Sequence, residues 1–551
     1  MMKINNFLSK IIDRRSNNIY VTLFFLIFLI IGLSIVKDYG ITTDEPFQRT
    51  IGYFWYIHII ELFSQNFELI NDLKVKFDSM YWSDELSKGN FRQYTVFFDL
   101  FAVVIEQLLQ IEEVSNAFLI KHYLTFIVFF ISSIFFYKII FQRNKNTFIS
   151  LLITSLYITS PRIFGESFYN CKDIVFMSFC VFVIFFTLKN LKEFKTKNII
   201  LLALFTGVAT DIRIMGILLS GLFFIFFILS SLEEENFLKK NYKHLILYFV
   251  IYFLTVYIFW PFLWSSPIDN FIISLKSFSN YGWGGSVLYL GNYVKASSLP
   301  WHYIPVWILV SMPIMIIIFF SLGLSSTIFL FFKKLTNLSE KTKLWSNTNE
   351  KRDFFMLFYF LIPLFTVIIL DSTLYGGWRH LYFLYPCLIY FVIISYEKLK
   401  IHFKKIFLVL FVASLMINVF NLIKLHPYQS VYFNSLVEKK ANNLFEIDYW
   451  GLGNVEAVKF ILKNHKKDGK TKVRTASFTP LNYSKLFFKK GVADNLVFTG
   501  TEELQQKYVF TNFIFEENPK FLDKYEVPSN YKKVFQLRRG NIVLNEVFLR
   551  D

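Results

Sequence analysis

Residues 19–46 read IYVTLFFLIFLIIGLSIV and then KDYGITTDEP, an unbroken apolar run that ends close to a carboxylate pair, Asp44-Glu45. A helix of roughly 20 apolar residues crosses about 30 Å of hydrocarbon, so this stretch reads as a membrane span that delivers two carboxylates to a membrane surface. Acidic residues at a helix exit are common and often only solvated. The pair therefore takes its meaning from the rest of the chain.

The rest of the chain has the same character. Of 551 residues, 54% are hydrophobic, 70 are Phe and 31 are Tyr, and the mean hydropathy is +0.43. These values lie far from soluble averages and predict an α-helical polytopic membrane protein. Apolar runs suited to crossing recur about eleven times, at 19–36, 117–141, 147–160, 174–188, 199–209, 214–229, 245–264, 304–332, 354–370, 381–395 and 406–423. The third and fifth are short. Residues 199–229 read either as one long buried helix or as two short ones broken at Thr210-Asp-Ile-Arg213.

Lysine and arginine in short loops mark the cytoplasmic side of a membrane protein. Lys3, Lys10, Arg14 and Arg15 precede the first run, Arg143 and Lys145 follow the second, and Lys189, Lys192, Lys195 and Lys197 follow the fourth. Lys239, Lys240 and Lys243, then Lys333, Lys334, Lys351 and Arg352, then Lys398, Lys400, Lys404 and Lys405 continue the series. With eleven spans all fall on one side, which places the N-terminus in the cytoplasm and the C-terminus outside. The net charge of +17 then reads as topology plus attraction to anionic membrane lipids, and a nucleic-acid partner is not expected. The first run is read as a retained signal anchor, since no small-residue cleavage site precedes Asp44. Cys171, Cys180 and Cys387 lie in or beside apolar runs, which gives neither a disulfide framework nor a thiolate metal site.

The expected division is a transmembrane domain, 1–423, and a small soluble α/β domain, 424–551. Within the first, the outer loop 37–116 carries helically spaced apolar residues at 47–70 and 94–111, read either as helices lying in the membrane interface or as a packed loop. Within the second, strands are expected at 472–477, 496–499 and 542–548 and a helix at 455–463. The outer segment 265–303 contains Tyr281-Gly-Trp-Gly-Gly-Ser286, read equally as a mobile lid or as an aromatic belt.

Charges near a bilayer must be paired, snorkelled or functional, and here they gather at the outer ends. Besides Asp44 and Glu45 there are Arg162, Glu166, Lys172 and Asp173, then Asp211 and Arg213, then Asp371 and Tyr375-Gly-Gly-Trp-Arg-His380. Arg213, Arg379, His380 and Lys172 could neutralise a phosphate, arginine by paired hydrogen bonds and lysine as a point charge. The plainer reading pairs Asp211 with Arg213, and Lys172 with Asp173, only to lower the cost of burial. The sequence holds no Gly-rich phosphate loop, His-Glu-x-x-His, Gly-x-Ser-x-Gly or Cys-x-x-Cys. No cofactor is expected, and no metal ligands are assigned, although oxygen-ligand sites leave weak marks in sequence.

Thr43-Asp-Glu-Pro46, Ser160-Pro-Arg162 with Lys172-Asp173, Tyr375-Gly-Gly-Trp-Arg-His380 with Pro386, His426-Pro-Tyr-Gln-Ser-Val-Tyr-Phe-Asn434 and Asp448-Tyr-Trp-Gly451 together resemble the GT-C superfamily of membrane glycosyltransferases. The likeness is to the branch of the protein O-mannosyltransferases and the lipid A aminoarabinose transferase, in its bacterial members. The resemblance implies an inverting transfer of a sugar from a polyprenyl-phosphate carrier to a lipid, glycan or protein acceptor on the outer face of a bacterial inner membrane. It implies Asp44, with Glu45 beside it, as the catalytic position. Arg162, Lys172, Asp173, Arg213, Arg379 and His380 are the expected substrate and phosphate ligands. One departure is that Thr95-Val-Phe-Phe-Asp99 stands where protein O-mannosyltransferases have a His-Pro-Pro element, so neither mannose nor a protein acceptor follows. Two other classes remain open at this point: a transporter or flippase of lipid-linked sugars, with its site on broken helices, and a non-catalytic scaffold of the same fold.

Overall fold

The computed structural model describes residues 2–279, 281–337, 343–464, 469–501 and 506–551. The side chains of residues 2–17 and 279 are outside that description, so the expected basic patch of Lys3, Lys10, Arg14 and Arg15 is not addressed by it. The chain is mostly helical, with a small sheet near its C-terminus. Eight helices are long and apolar enough to cross a membrane among the described residues.

The expected eleven spans are therefore not matched by length, and each difference has a local cause. The run at 147–160 is a helix of only 13 residues, Thr147–Thr159, about 20 Å long at 1.5 Å per residue. The 199–229 stretch is two helices, Thr196–Ile212 and Ile217–Glu233, separated at Arg213, whose backbone is extended. The run at 304–332 breaks at Pro313, the N-cap of Ile314–Thr336, because proline cannot continue the preceding helix Tyr303–Ser311. The last two runs join in one 41-residue helix, Tyr385–Leu425, which kinks at Phe403. That length is about twice a bilayer, and the kink lies among Lys398, Lys400, Lys404 and Lys405, residues suited to a membrane surface.

The segment after the first span forms a helical subdomain with its own core. Glu45–Phe63 packs on Phe97–Leu108 and Phe67–Asp78, burying Ile51, Tyr53, Trp55, Leu73 and Val103. Phe63, Phe67, Val75 and Leu108 stay strongly exposed, as expected for helices whose outer faces meet lipid. Gly52 allows the close crossing: a Cβ there would stand 2.6 Å from the Asp99 carbonyl oxygen.

Among the described residues there are seven strands: β1 (Ser286–Tyr289), β2 (Asn292–Lys295), β3 (Thr471–Thr475), β4 (Leu496–Thr499), β5 (Tyr508–Thr511), β6 (Tyr531–Arg539) and β7 (Ile542–Arg550). β1 and β2 form a hairpin in the segment read as lid or belt. The other five form one sheet in the order β4-β3-β5-β7-β6, with β3 parallel to both β4 and β5 and the remaining pairs antiparallel. Helix Asn454–Asn464 covers it, placing Ala457, Val458 and Ile461 against Val473, Phe510 and Val547. Phe445, Trp450, Leu537 and Leu544 meanwhile join the core of the membrane helices, so the sheet region is seated on the bundle.

Candidate active site

The turn Thr42 to Glu45 aims the two carboxylates in different directions. The Glu45 carboxylate accepts from the Thr42 backbone N–H at 2.7 Å and from the Thr42 hydroxyl at 3.0 Å, which closes the turn leading into helix Glu45–Phe63. Its other oxygen lies 2.8 Å from His122 Nε2, and the residue is fully buried. Glu45, expected beside Asp44 in catalysis, is thus a buried helix-starting group. Asp44 makes no capping bond and its side chain keeps 29% exposure.

Asp44 meets Arg379. Arg379 Nη1 donates to Asp44 Oδ2 at 3.0 Å and lies 3.4 Å from Asp173 Oδ2. Asp173 also pairs with Arg213, and it opens helix Asp173–Asn190, where the positive end of the helix dipole favours a carboxylate. Side-chain exposure falls from 29% at Asp44 and 17% at Arg213 to 4% at Arg379 and 1% at Asp173. The cluster is two carboxylates and two guanidiniums, with Asp44 its most accessible member.

Local structure explains the meeting. Gly376 and Gly377 both hold positive φ, 66° and 74°, a turn that other residues adopt at a cost, and a Cβ on Gly376 would press on the Arg379 side chain at 3.1 Å. The guanidinium is enclosed by the rings of Tyr375, Tyr449 and Trp450 at 4.8, 4.7 and 5.0 Å. Arg379 Nη2 donates to Tyr449 Oη at 3.0 Å, and burial pushes that phenol well above its ordinary range, keeping it neutral. The Trp450 carbonyl accepts from the Thr43 N–H and hydroxyl, both at 3.1 Å. The turn is shaped by Asp448, whose carboxylate accepts from the backbone N–H groups of Leu452 and Gly453 at 3.2 and 2.8 Å.

The other expected ligands part ways. Lys172 donates to the Thr95 carbonyl at 2.7 Å and sits 3.8 Å from Asp99; it does not pair with Asp173. Burial, with Arg213 nearby, lowers its hold on a proton against the pull of Asp99. Arg162 lies elsewhere, donating to the Tyr432 carbonyl at 3.2 Å and packing on Trp307 and Phe433, so it belongs to the scaffold under residues 432–433. His380 turns its ring edge to Tyr375 at 4.9 Å, and its Nδ1 is buried without a hydrogen bond; it adds no ion pair to the cluster among the described residues. Asp211 does not pair with Arg213: both its oxygens are buried without a hydrogen bond.

No described protein family matches this chain, and no curated protein does. Solved structures similar to it include two of one protein. ArnT from Cupriavidus metallidurans bound to undecaprenyl phosphate is 9% identical with a TM-score of 0.45, over 96% of this chain and 97% of that one. The apo form of the same protein is 10% identical with a TM-score of 0.34, over 97% and 98%. Both are distant likenesses of the whole arrangement.

Proposed function

We propose that this chain is an inverting glycosyltransferase that moves a sugar from a polyprenyl-phosphate carrier to an acceptor on the periplasmic face of a bacterial inner membrane, with its N-terminus in the cytoplasm. The observation that carries the proposal is the accessible Asp44 carboxylate held 3.0 Å from Arg379, with Arg213 behind it on the shared Asp173. A base and two cations stand together beside a bundle of membrane helices. The motifs around Asp44, Asp173 and Arg379, which resemble those of GT-C enzymes, support the same reading.

In the proposed reaction the acceptor oxygen attacks the anomeric carbon from the face opposite the lipid phosphate and gives its proton to Asp44. The bond from the anomeric carbon to the phosphate oxygen breaks, and its electron pair leaves on the phosphate. Arg379 and Arg213 meet that charge, with Lys172 beside them. One displacement inverts the sugar and needs no enzyme nucleophile. A second carboxylic acid is also unnecessary, because a neutralised phosphate leaves more readily than the glycosidic oxygen of a hydrolase substrate. Arg379 has one further part: when phosphate takes its guanidinium, the Asp44 carboxylate is released to the incoming hydroxyl.

The test is sugar transfer in reconstituted vesicles from a panel of polyprenyl-phosphate sugars, comparing the wild type with Asp44→Asn. Transfer by the wild type alone, with lipid phosphate still bound by the variant, supports the reading. Equal transfer by both removes Asp44 as the base, and movement of lipid-linked sugar across the bilayer without transfer replaces the enzyme with a transporter.

A further inference from the structure

Trp82 is a large aromatic residue held at a cost. Its backbone has φ 74°, a left-handed conformation disfavoured for bulky residues and one that tends to persist where function requires it. Its side chain is 38% exposed. Phe47 and Phe91 brace it edge-on at 5.6 and 5.9 Å, and its Nε1 donates to Tyr483 Oη at 3.1 Å, a partner 401 residues away in the C-terminal region. Tyr94 packs edge-on against the same Phe47 at 5.4 Å, and Tyr483 packs on Tyr81 at 4.9 Å.

A second aromatic group stands at Tyr375. Trp283 packs on Tyr375 at 4.7 Å and on the exposed Phe478 at 6.2 Å. Gly282 and Gly284, its neighbours, have open space where a Cβ would stand. Two indoles from distant segments thus stand on aromatic residues that adjoin Asp44 and its partner: Trp82 on Phe47, three residues beyond Asp44, and Trp283 on Tyr375, whose ring lies against Arg379.

We propose that this aromatic mouth is the acceptor subsite and that it takes the neutral carbohydrate part of the acceptor. The inference rests on the transferase reading above and names the class of acceptor. A pyranose offers a face of C–H bonds that packs on the negative face of an aromatic ring, and its hydroxyls match the polar edges of tyrosine and tryptophan. An anionic acceptor would need a cation of its own, and Arg379, Arg213 and Lys172 are already assigned to the donor phosphate. An acyl chain would need an aliphatic lining, and these walls are aromatic with polar rims.

The experiment measures saccharide binding without turnover, by saturation-transfer NMR on the full-length Asp44→Asn protein in nanodiscs. The probes are maltotriose, cellotriose and N,N'-diacetylchitobiose, with glucose 6-phosphate as the charged comparison. Binding of at least one neutral probe, weakened about tenfold by Trp82→Ala and about twofold by Trp82→Phe, is the expected result. Trp283→Ala supplies a second variant on the opposite wall, expected to weaken the same probe. No binding by any neutral probe, binding unchanged in both alanine variants, or binding of the phosphorylated sugar alone overturns the proposal. Saccharide binding by this variant, when the wild type transfers no sugar from any polyprenyl-phosphate donor, would sink the transferase reading and leave the subsite standing, so the two failures are distinguishable.

Discussion

Arg379 and Asp44 lie 335 residues apart in sequence and 3.0 Å apart in space, and the same guanidinium reaches Asp173 at 3.4 Å. One buried cation therefore fixes two carboxylates of unequal exposure. The outer one keeps 29% exposure, and the inner one anchors Arg213.

Replacing Asp44 with Asn keeps the shape of the side chain and removes its ability to take a proton. General bases contribute about 10²- to 10⁴-fold, so transfer is expected to fall at least about a hundredfold, with thermal stability and polyprenyl-phosphate binding little changed. A lipid-binding assay beside the transfer assay separates this from misfolding.

Arg379→Ala leaves Asp44 and Asp173 without their shared cation. Breaking a buried pair in this way costs about 3–5 kcal/mol, so the variant is expected to melt well below the wild type. Arg379→Lys keeps the charge but cannot serve Asp44, Asp173 and Tyr449 together. It is expected to stay folded and to bind polyprenyl phosphate about tenfold more weakly, a shift readable by titration in nanodiscs.

Tyr449→Phe removes only the oxygen that receives Arg379 Nη2 and keeps the ring against the guanidinium. Loss of a hydrogen bond to a charged group is worth about 1.5–3 kcal/mol. The expected signature is a rate about tenfold lower with stability affected less than in Arg379→Ala.

Stability is expected to fall as pH rises from the ordinary carboxylate range towards 8. Burial holds Glu446 up to about 8 and Asp448 up to about 6, so across this window the folded chain retains protons that the unfolded chain has released. Each group then lowers stability by up to about 1.4 kcal/mol per pH unit, from about pH 4 up to its own folded value, and no further beyond it. Glu446→Gln, which resembles the protonated acid, is expected to flatten the dependence of Tm on pH between 6 and 8.

Gly52→Ala is expected to lower Tm, because the added methyl meets the Asp99 carbonyl oxygen at 2.6 Å and overpacking of this kind costs about 1–3 kcal/mol. The helix that Glu45 starts would shift with it, so transfer is expected to fall too, though Gly52 touches neither Asp44 nor Arg379.

The sequence announces what is local and hides what is distant. Asp44 is legible because a long apolar run ends beside it, and Arg379 because two glycines and an aromatic surround it in an outer loop. Strands β3, β4 and β7 are legible from short runs of β-branched and aromatic residues, and β5, Tyr-Val-Phe-Thr, has the same character; β6 is rich in charged residues and gains its pairing from β7. The neighbour pairs Asp211 with Arg213 and Lys172 with Asp173 are reasonable in sequence and absent in space, since a helix end and an extended residue turn adjacent side chains apart. The tie of Glu45 to Thr42 was within reach, because residues three apart meet across a turn at the start of a helix. Arg162 and Lys172 look alike in sequence, both cations in one outer loop, and only packing sends one beneath Tyr432 and the other towards Asp99.

Thr43 is bonded to the carbonyl of Trp450, and Tyr449 receives Arg379. The surroundings of Asp44 are therefore drawn from both ends of the chain, and they are complete only once residues near 450 have folded back onto the turn at 42–45.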